Sequence, residues 1–150
     1  MRRQDRGLAL DETMSILENG EYGVISSVSD DGQPYGVPVS YVLHQGCISF
    51  HSALEGHKLV NFRYNDRVSF CVVGKTKVLP AKFSTEYESA IVFGRISELD
   101  GPAKTKSLQA LVAKYSPAHI DVGNTYIEAS QNTTAVFSIS MDQITGKARK

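Results

Sequence analysis

Between Tyr22 and Ser52 the chain carries three short segments rich in β-branched and aromatic residues, and the links between them leave no room for a helix. Tyr22 to Val28 runs into Ser29-Asp30-Asp31-Gly32, whose Asp-Gly pair favours a tight turn. Tyr35 to Leu43 sets Tyr35, Val37, Val39, Tyr41 and Leu43 on one alternating face. His44-Gln45-Gly46 then leads into Cys47 to Ser52. Parallel strands need a long crossover, so these short links predict an antiparallel meander rather than a βαβ unit. Pro38 has no N–H to give a ladder, which predicts an edge position or a bulge for the second segment.

The remaining chain alternates helix and strand signals. A short helix is predicted over Asp11 to Glu18, with Asp11 as N-cap and Asn19-Gly20 as the stop. Glu55 to Asn65 has helical spacing, with Leu59, Val60, Phe62 and Tyr64 as candidate core contacts. Arg67 to Val73 reads as a strand and Gly74 to Pro80 as a lysine-bearing loop. Tyr87 to Leu99 reads as a strand with Ile91, Phe93 and Arg95 at alternating positions. Asp100-Gly101-Pro102 opens a helix to about Tyr115, since proline is tolerated in a first turn. A shorter helix is expected over Asn124 to Ala129, and Thr134 to Met141 is the last strand. About six mostly antiparallel strands with small outer helices predict a mainly β fold, a β-barrel with peripheral helices. No repeat or low-complexity tract divides the sequence, so residues 1–150 are read as a single domain.

Charge and cysteine usage narrow the function. The chain has 16 basic and 16 acidic side chains, a formal net charge of zero, which argues against a broad nucleic-acid surface. Its apolar runs fall far short of the roughly 20 residues that span a bilayer, so no membrane partner is expected. Arg2, Arg3 and Arg6 are not followed by an apolar stretch of signal-peptide length. Cys47 and Cys71 are isolated in strand-like segments with no CxxC pair, which predicts buried thiols, no metal site and a cytoplasmic location.

The stretch Phe50-His51-Ser52-Ala53-Leu54-Glu55-Gly56-His57-Lys58 carries the most chemistry. It passes from a strand end through a glycine-bearing loop into the first turn of a helix, where unpaired N–H groups and the helix dipole favour an anion. Ser52, His57 and Lys58 add donors suited to one phosphate. The same residues also fit a local Ser52 cap, a solvated Lys58 and a surface His57, with His51 a packed strand residue. Gly36 and Pro38 likewise leave backbone groups free for a flat heterocycle, or mark a bulged edge strand.

Taken in order, Gly20-Glu21-Tyr22-Gly23-Val24, the Asp31-to-Val39 run, Phe50-His51, Glu55-Gly56-His57-Lys58 and Val68-to-Gly74 resemble one family. Tyr87-Glu88-Ser89, Val92-Phe93-Gly94 and Ile144-Thr145-Gly146-Lys147-Ala148 extend the likeness over nearly the whole chain. The sequence resembles the NimA-like (nitroimidazole-resistance) branch of the pyridoxamine 5′-phosphate oxidase-like, FMN-binding split-barrel superfamily. The resemblance implies a six-stranded antiparallel split β-barrel that forms a homodimer, with FMN sites built from both subunits. It implies that Ser52, His57 and Lys58 hold the FMN phosphate with help from Asn61. Val37, Pro38, Val39 and Ser40 would meet the isoalloxazine edge through their backbone, and His51 would lie near the ring or substrate. Lys147 would reach the cofactor from the partner subunit, unless that tail is simply a solvated basic end.

Flavin carries its own redox chemistry, in keeping with a sequence that has no GxSxG, no HExxH and no clustered carboxylate pair. The expected function is an oxidoreductase passing electrons from reduced FMN to a small organic acceptor, a nitroaromatic by analogy. No residue is assigned acid–base chemistry. Pyridoxamine phosphate oxidation is less expected, because the chain shows no arginine-rich motif for a substrate phosphate. Two alternatives stay open: a haem protein on the same barrel, with His44, His51, His57 or His119 as axial ligand, and a non-catalytic flavin-binding dimer.

Overall fold

Eight strands and four helices follow one another in the computed structural model, which describes residues 4–150; Arg2 and Arg3 lie outside the described residues. The strands are β1 (Gly23–Val28), β2 (Pro34–Val39), β3 (Val42–His44), β4 (Cys47–Ala53), β5 (Arg67–Leu79), β6 (Ser84–Glu98), β7 (Thr134–Ser140) and β8 (Gln143–Arg149). The helices are α1 (Leu10–Asn19), α2 (His57–Tyr64), α3 (Gly101–Tyr115) and α4 (Ile120–Ser130). Every strand pairing is antiparallel.

The sheet runs β2-β1-β5-β6-β7-β4-β3, with β8 added to β6. β6 organises it. On one side β5 accompanies β6 from Leu79↔Ser84 to Arg67↔Arg95. On the other side β8 pairs with Tyr87 to Phe93 and β7 takes over at Ile96 to Glu98. The exchange of partners falls at Gly94, where any Cβ would overlap the Ser140 carbonyl, so only glycine lets the backbones approach. The sheet splits there and stays unclosed between its edge strands β2 and β3. The architecture is a mainly antiparallel split barrel.

Several local expectations change. The meander does not form, because the chain breaks at Ser40-Tyr41 and carries β3 and β4 to the far end of the sheet path from β1 and β2. The count is eight strands rather than about six. The 35–43 segment divides into two strands, and the 144–148 tail becomes β8. Gly74 to Pro80 is not a loop, since β5 continues to Leu79. A register shift between Val73 and Thr76 absorbs Gly74, and Lys77 then lies opposite Glu86. Long-range ladder bonds outweigh the loop-like composition of that stretch. The N-cap of α1 is Ala9 rather than Asp11. The Ala9 N–H donates to the Glu12 carboxylate at 3.3 Å, and Asp11 sits in the first turn. At the other end Gly20 N–H donates to the Ile16 carbonyl, so the Asn19-Gly20 stop is realised. α4 starts at Ile120, four residues before Asn124, because Pro117–His119 forms a 3-10 turn that feeds it.

The main core lies inside the barrel. Tyr41, Ile48, Phe50, Phe70, Val72, Val92 and Ile139 are fully buried there, each side chain worth about 1.5–3 kcal/mol of transfer free energy. Phe62 of α2 stands edge-on to Phe50 and Phe137, with centroids 6.3 and 5.3 Å away, and so anchors α2 against β4 and β7. A second cluster of Val42, Leu108, Leu111, Ile127 and Val136 seats α3 and α4 on the opposite face of that sheet.

Candidate functional site

The start of α2 is built by one backbone conformation. Gly56, its N-cap, has φ +144°, a region that side-chain-bearing residues avoid, and its carbonyl accepts the Leu59 and Val60 N–H groups. No side chain caps the helix. The N–H groups of His57 and Lys58 in the first turn therefore have no acceptor within the helix, and the dipole adds partial positive charge. The approach from β4, Ala53 to Gly56, is exposed.

Ser52 stands near the end of β4, four residues before Gly56. It is buried, and its Oγ has no hydrogen-bond partner within the protein. Lys58 is half-buried and His57 exposed. Two contacts tie this turn to the β1–β2 hairpin. The His57 ring lies 4.5 Å from the Tyr35 ring, tilted by 38°, and the buried Asn61 Nδ2 donates to Ser27 Oγ at 3.1 Å. The hairpin turn also brings a carboxylate close. Asp31 is held below its ordinary value, chiefly by the Ser29 hydroxyl and the Gln33 N–H, with a smaller contribution from the His57 charge.

The expected residues divide by strand parity. Ser52 shares the barrel-facing side of β4 with Phe50, whereas His51 points to the opposite side, that of Ser49 under α3, and is exposed. Val37 and Val39 are half-buried against the main core. Pro38 and Ser40 are exposed. β2 pairs only with β1, so its outer edge presents unpaired backbone groups, with Pro38 supplying a carbonyl alone. Asn61 spends its amide on Ser27 and acts as a strut under the turn. Lys147 lies on β8, its Nζ 5.8 Å from the Tyr87 ring centroid. It lowers the Tyr87 phenol below its ordinary value, mainly by a hydrogen bond. Within one chain, then, His57, Lys58 and Asn61 lie on α2 and Ser52 near the end of the preceding strand, while Lys147 stands on the β6–β8 ladder with Tyr87.

Sequence reasoning missed Tyr35 and Ser27 as neighbours of the site. Ser27 carried a signal, being a polar residue on the inward parity of β1 after Gly23 and Ile25. A cleft of about 1040 Å³ lies elsewhere, between α1 and the start of the β5–β6 extension. The α2 turn is an open cradle on the surface. Among the described residues, no group of three or more His, Cys, Asp or Glu side chains is arranged to hold a metal ion.

Residues 10–148 match the family model described as pyridoxamine 5′-phosphate oxidase. The chain belongs to that family. A candidate 5-nitroimidazole antibiotic resistance protein from Bacteroides thetaiotaomicron VPI-5482 superposes with TM-score 0.74 at 19% identity, over 95% of this chain and 86% of that one. The FAD and heme binding protein from Mycobacterium smegmatis gives 0.83 at 17% identity, over 95% and 72%. A FAD-binding protein from Mesorhizobium loti gives 0.67 at 23% identity, over 97% and 98%. At these identities the likeness speaks for the fold alone. No curated protein sequence matches the chain.

Proposed function

We propose that this family member is a homodimeric flavoprotein that seats the phosphate of FMN at the start of α2 and delivers electrons from the reduced cofactor to a small organic acceptor. The observation that carries the reading is Ser52 Oγ. A buried hydroxyl without a partner costs about 1–3 kcal/mol, and here it sits just before a helix start whose own N–H groups are free. A phosphate oxygen would satisfy both. The residues present therefore fit the group: the first-turn N–H groups of α2 and the Ser52 hydroxyl would hold the phosphate, and Lys58 would add charge. The flavin supplies the two-electron redox chemistry when bound.

The chain's own residues then position the cofactor. Asn61 fixes α2 on β1, Tyr35 flanks His57, and the free edge of β2 from Val37 to Ser40 offers backbone groups to a polar ring edge. Outward-facing Val73, Ile91 and Phe93 on β5 and β6, with half-buried Cys71 beside them, form an apolar sheet face that supports the dimer reading. The free thiols Cys47 and Cys71 are in keeping with a reducing cytoplasm. Among the described residues, no helix is long and apolar enough to cross a membrane.

Mass spectrometry of the small molecule that copurifies with the protein, read with its absorption spectrum, tests the cofactor. FMN and flavin bands are expected; an intense Soret band without flavin would replace this reading with a haem protein. Anaerobic reduction followed by addition of a nitroaromatic tests the enzyme. Reoxidation faster than that of free FMN is expected, and equal rates would leave a flavin carrier.

A further inference from the structure

The extension formed by β5 and β6 beyond the sheet is unlike the rest of the molecule. Beyond Tyr87, from Lys77↔Glu86 to Leu79↔Ser84, the two strands pair only with each other. At about 3.4 Å per residue this arm carries Phe83 roughly 14 Å beyond its base. An isolated two-stranded hairpin is marginal in water, yet this one presents Val78 at 69% and Phe83 at 98% exposure. Phe83 also holds a left-handed backbone, φ 47° and ψ 46°, an unusual conformation for a bulky residue. Lys77 and Lys82 flank these apolar side chains.

At the root of the same arm lies the cleft of about 1040 Å³, walled by α1 on one side and Val73 to Thr76 on the other. Among the described residues, four acidic ones line it, Asp11, Glu12, Glu21 and Glu88, against one base, Lys75. Glu88 accepts the Lys75 N–H and Glu12 meets Lys150 at 3.4 Å, so part of this charge is already engaged. The cleft remains acidic on balance, and Ile16 and Tyr22 supply apolar wall.

We infer that the arm of one subunit docks into the acidic cleft at the arm root of a second copy, with Phe83 as anchor and Lys77 and Lys82 against the acidic rim. The exchange is reciprocal: each subunit gives an arm and receives one, which a two-fold axis requires of a self-complementary contact. The inference rests on the dimer reading but not on flavin. It accounts for an apolar, conformationally strained tip standing in water.

Co-expression of two cysteine variants tests it, both carrying Cys47→Ala and Cys71→Ala. One chain carries Phe83→Cys, and the other Ser15→Cys or Asn19→Cys on the cleft wall. Only contact between subunits can join them. A covalent heterodimer on a non-reducing gel is the expected result, together with at least ten-fold weaker dimerisation of Phe83→Asp in sedimentation. A dimer by light scattering that yields no disulfide from either position, and whose assembly tolerates Phe83→Asp, would overturn the arm exchange and leave the dimer reading standing. A monomer would overturn both. Phe83-dependent binding to phosphatidylglycerol vesicles, without the disulfide, would overturn the exchange in favour of a membrane surface.

Discussion

Two regions of this molecule treat their buried polar groups differently. Around Tyr41, where the chain leaves β2 for β3, nearly every polar group finds a partner inside the protein. The Tyr41 hydroxyl donates to the Leu17 carbonyl and its N–H to the Tyr115 hydroxyl at 2.9 Å. Tyr115 in turn donates to the Glu21 carbonyl at 2.6 Å. Lys114 Nζ donates to the Gly20 carbonyl at 2.7 Å and lies 4.0 Å from the Tyr41 ring centroid. This knot ties α3 to the α1–β1 junction and to the crossing from β2 to β3. At α2, by contrast, Ser52 Oγ has no partner and the first helical N–H groups have none within the helix. A closed network is architecture. An incomplete one, beside a helix start, is what the proposed function assigns to a ligand.

The largest effect is expected in the knot. Tyr41→Ala should cost about 3–5 kcal/mol of stability, the scale of aromatic-to-alanine changes in cores, read as a fall in the denaturant midpoint. Loss of under about 1 kcal/mol would mean that the network is not structural. Next comes the cradle, where Lys58→Ala should weaken FMN binding by roughly 1.5–3 kcal/mol with little change in the stability of the cofactor-free protein. Unchanged affinity in a fluorescence titration would remove Lys58 from the site.

The alkaline limb separates the regions further. Burial raises the Tyr41 phenol well above its ordinary 10.0, so the unfolded chain ionises first. Its contribution is fully present below pH 10.0 and is lost as pH rises above it. Lys114 is lowered from 10.5 by burial, so its cost is relieved as pH approaches that value, a partial offset of opposite sign. Tyr41→Phe should therefore flatten the loss of stability above pH 10.0 in alkaline denaturation, whereas Lys58→Ala should leave that limb unchanged. The smallest effect is assigned to Lys147. Lys147→Ala should let the Tyr87 phenol titrate higher, followed by tyrosinate absorbance, and alter FMN affinity by about two-fold or less. A ten-fold loss would instead place Lys147 at the cofactor of a neighbouring subunit.

Much of this was legible from residue order, for stated reasons. Short links and β-branched alternation give antiparallel strands, and Gly56 before His57-Lys58 gives a helix start with free donors. The long-range choices were not legible. Nothing local in Lys75-Thr76-Lys77-Val78 reveals that β6 will pair with it, and nothing in Ser40-Tyr41 reveals that the chain changes sheets there. That crossing depends on Lys114 and Tyr115, which are distant in sequence and read as ordinary helix residues. Alternation along β4 does separate His51 from Ser52, but which of them faces the barrel depends on the register with β7. Asn61 gave no local sign that its amide would be spent on Ser27.

The central claim, that a phosphate completes the cradle at Ser52, is tested most directly by Ser52→Ala measured in both states of the protein. Removing a buried hydroxyl that lacks a partner should leave the cofactor-free protein as stable as before, or up to about 1–3 kcal/mol more stable. The same change should weaken FMN binding about ten-fold. A variant that is less stable without cofactor and binds FMN unchanged would contradict the account, because the hydroxyl would then serve the protein's interior and not a ligand.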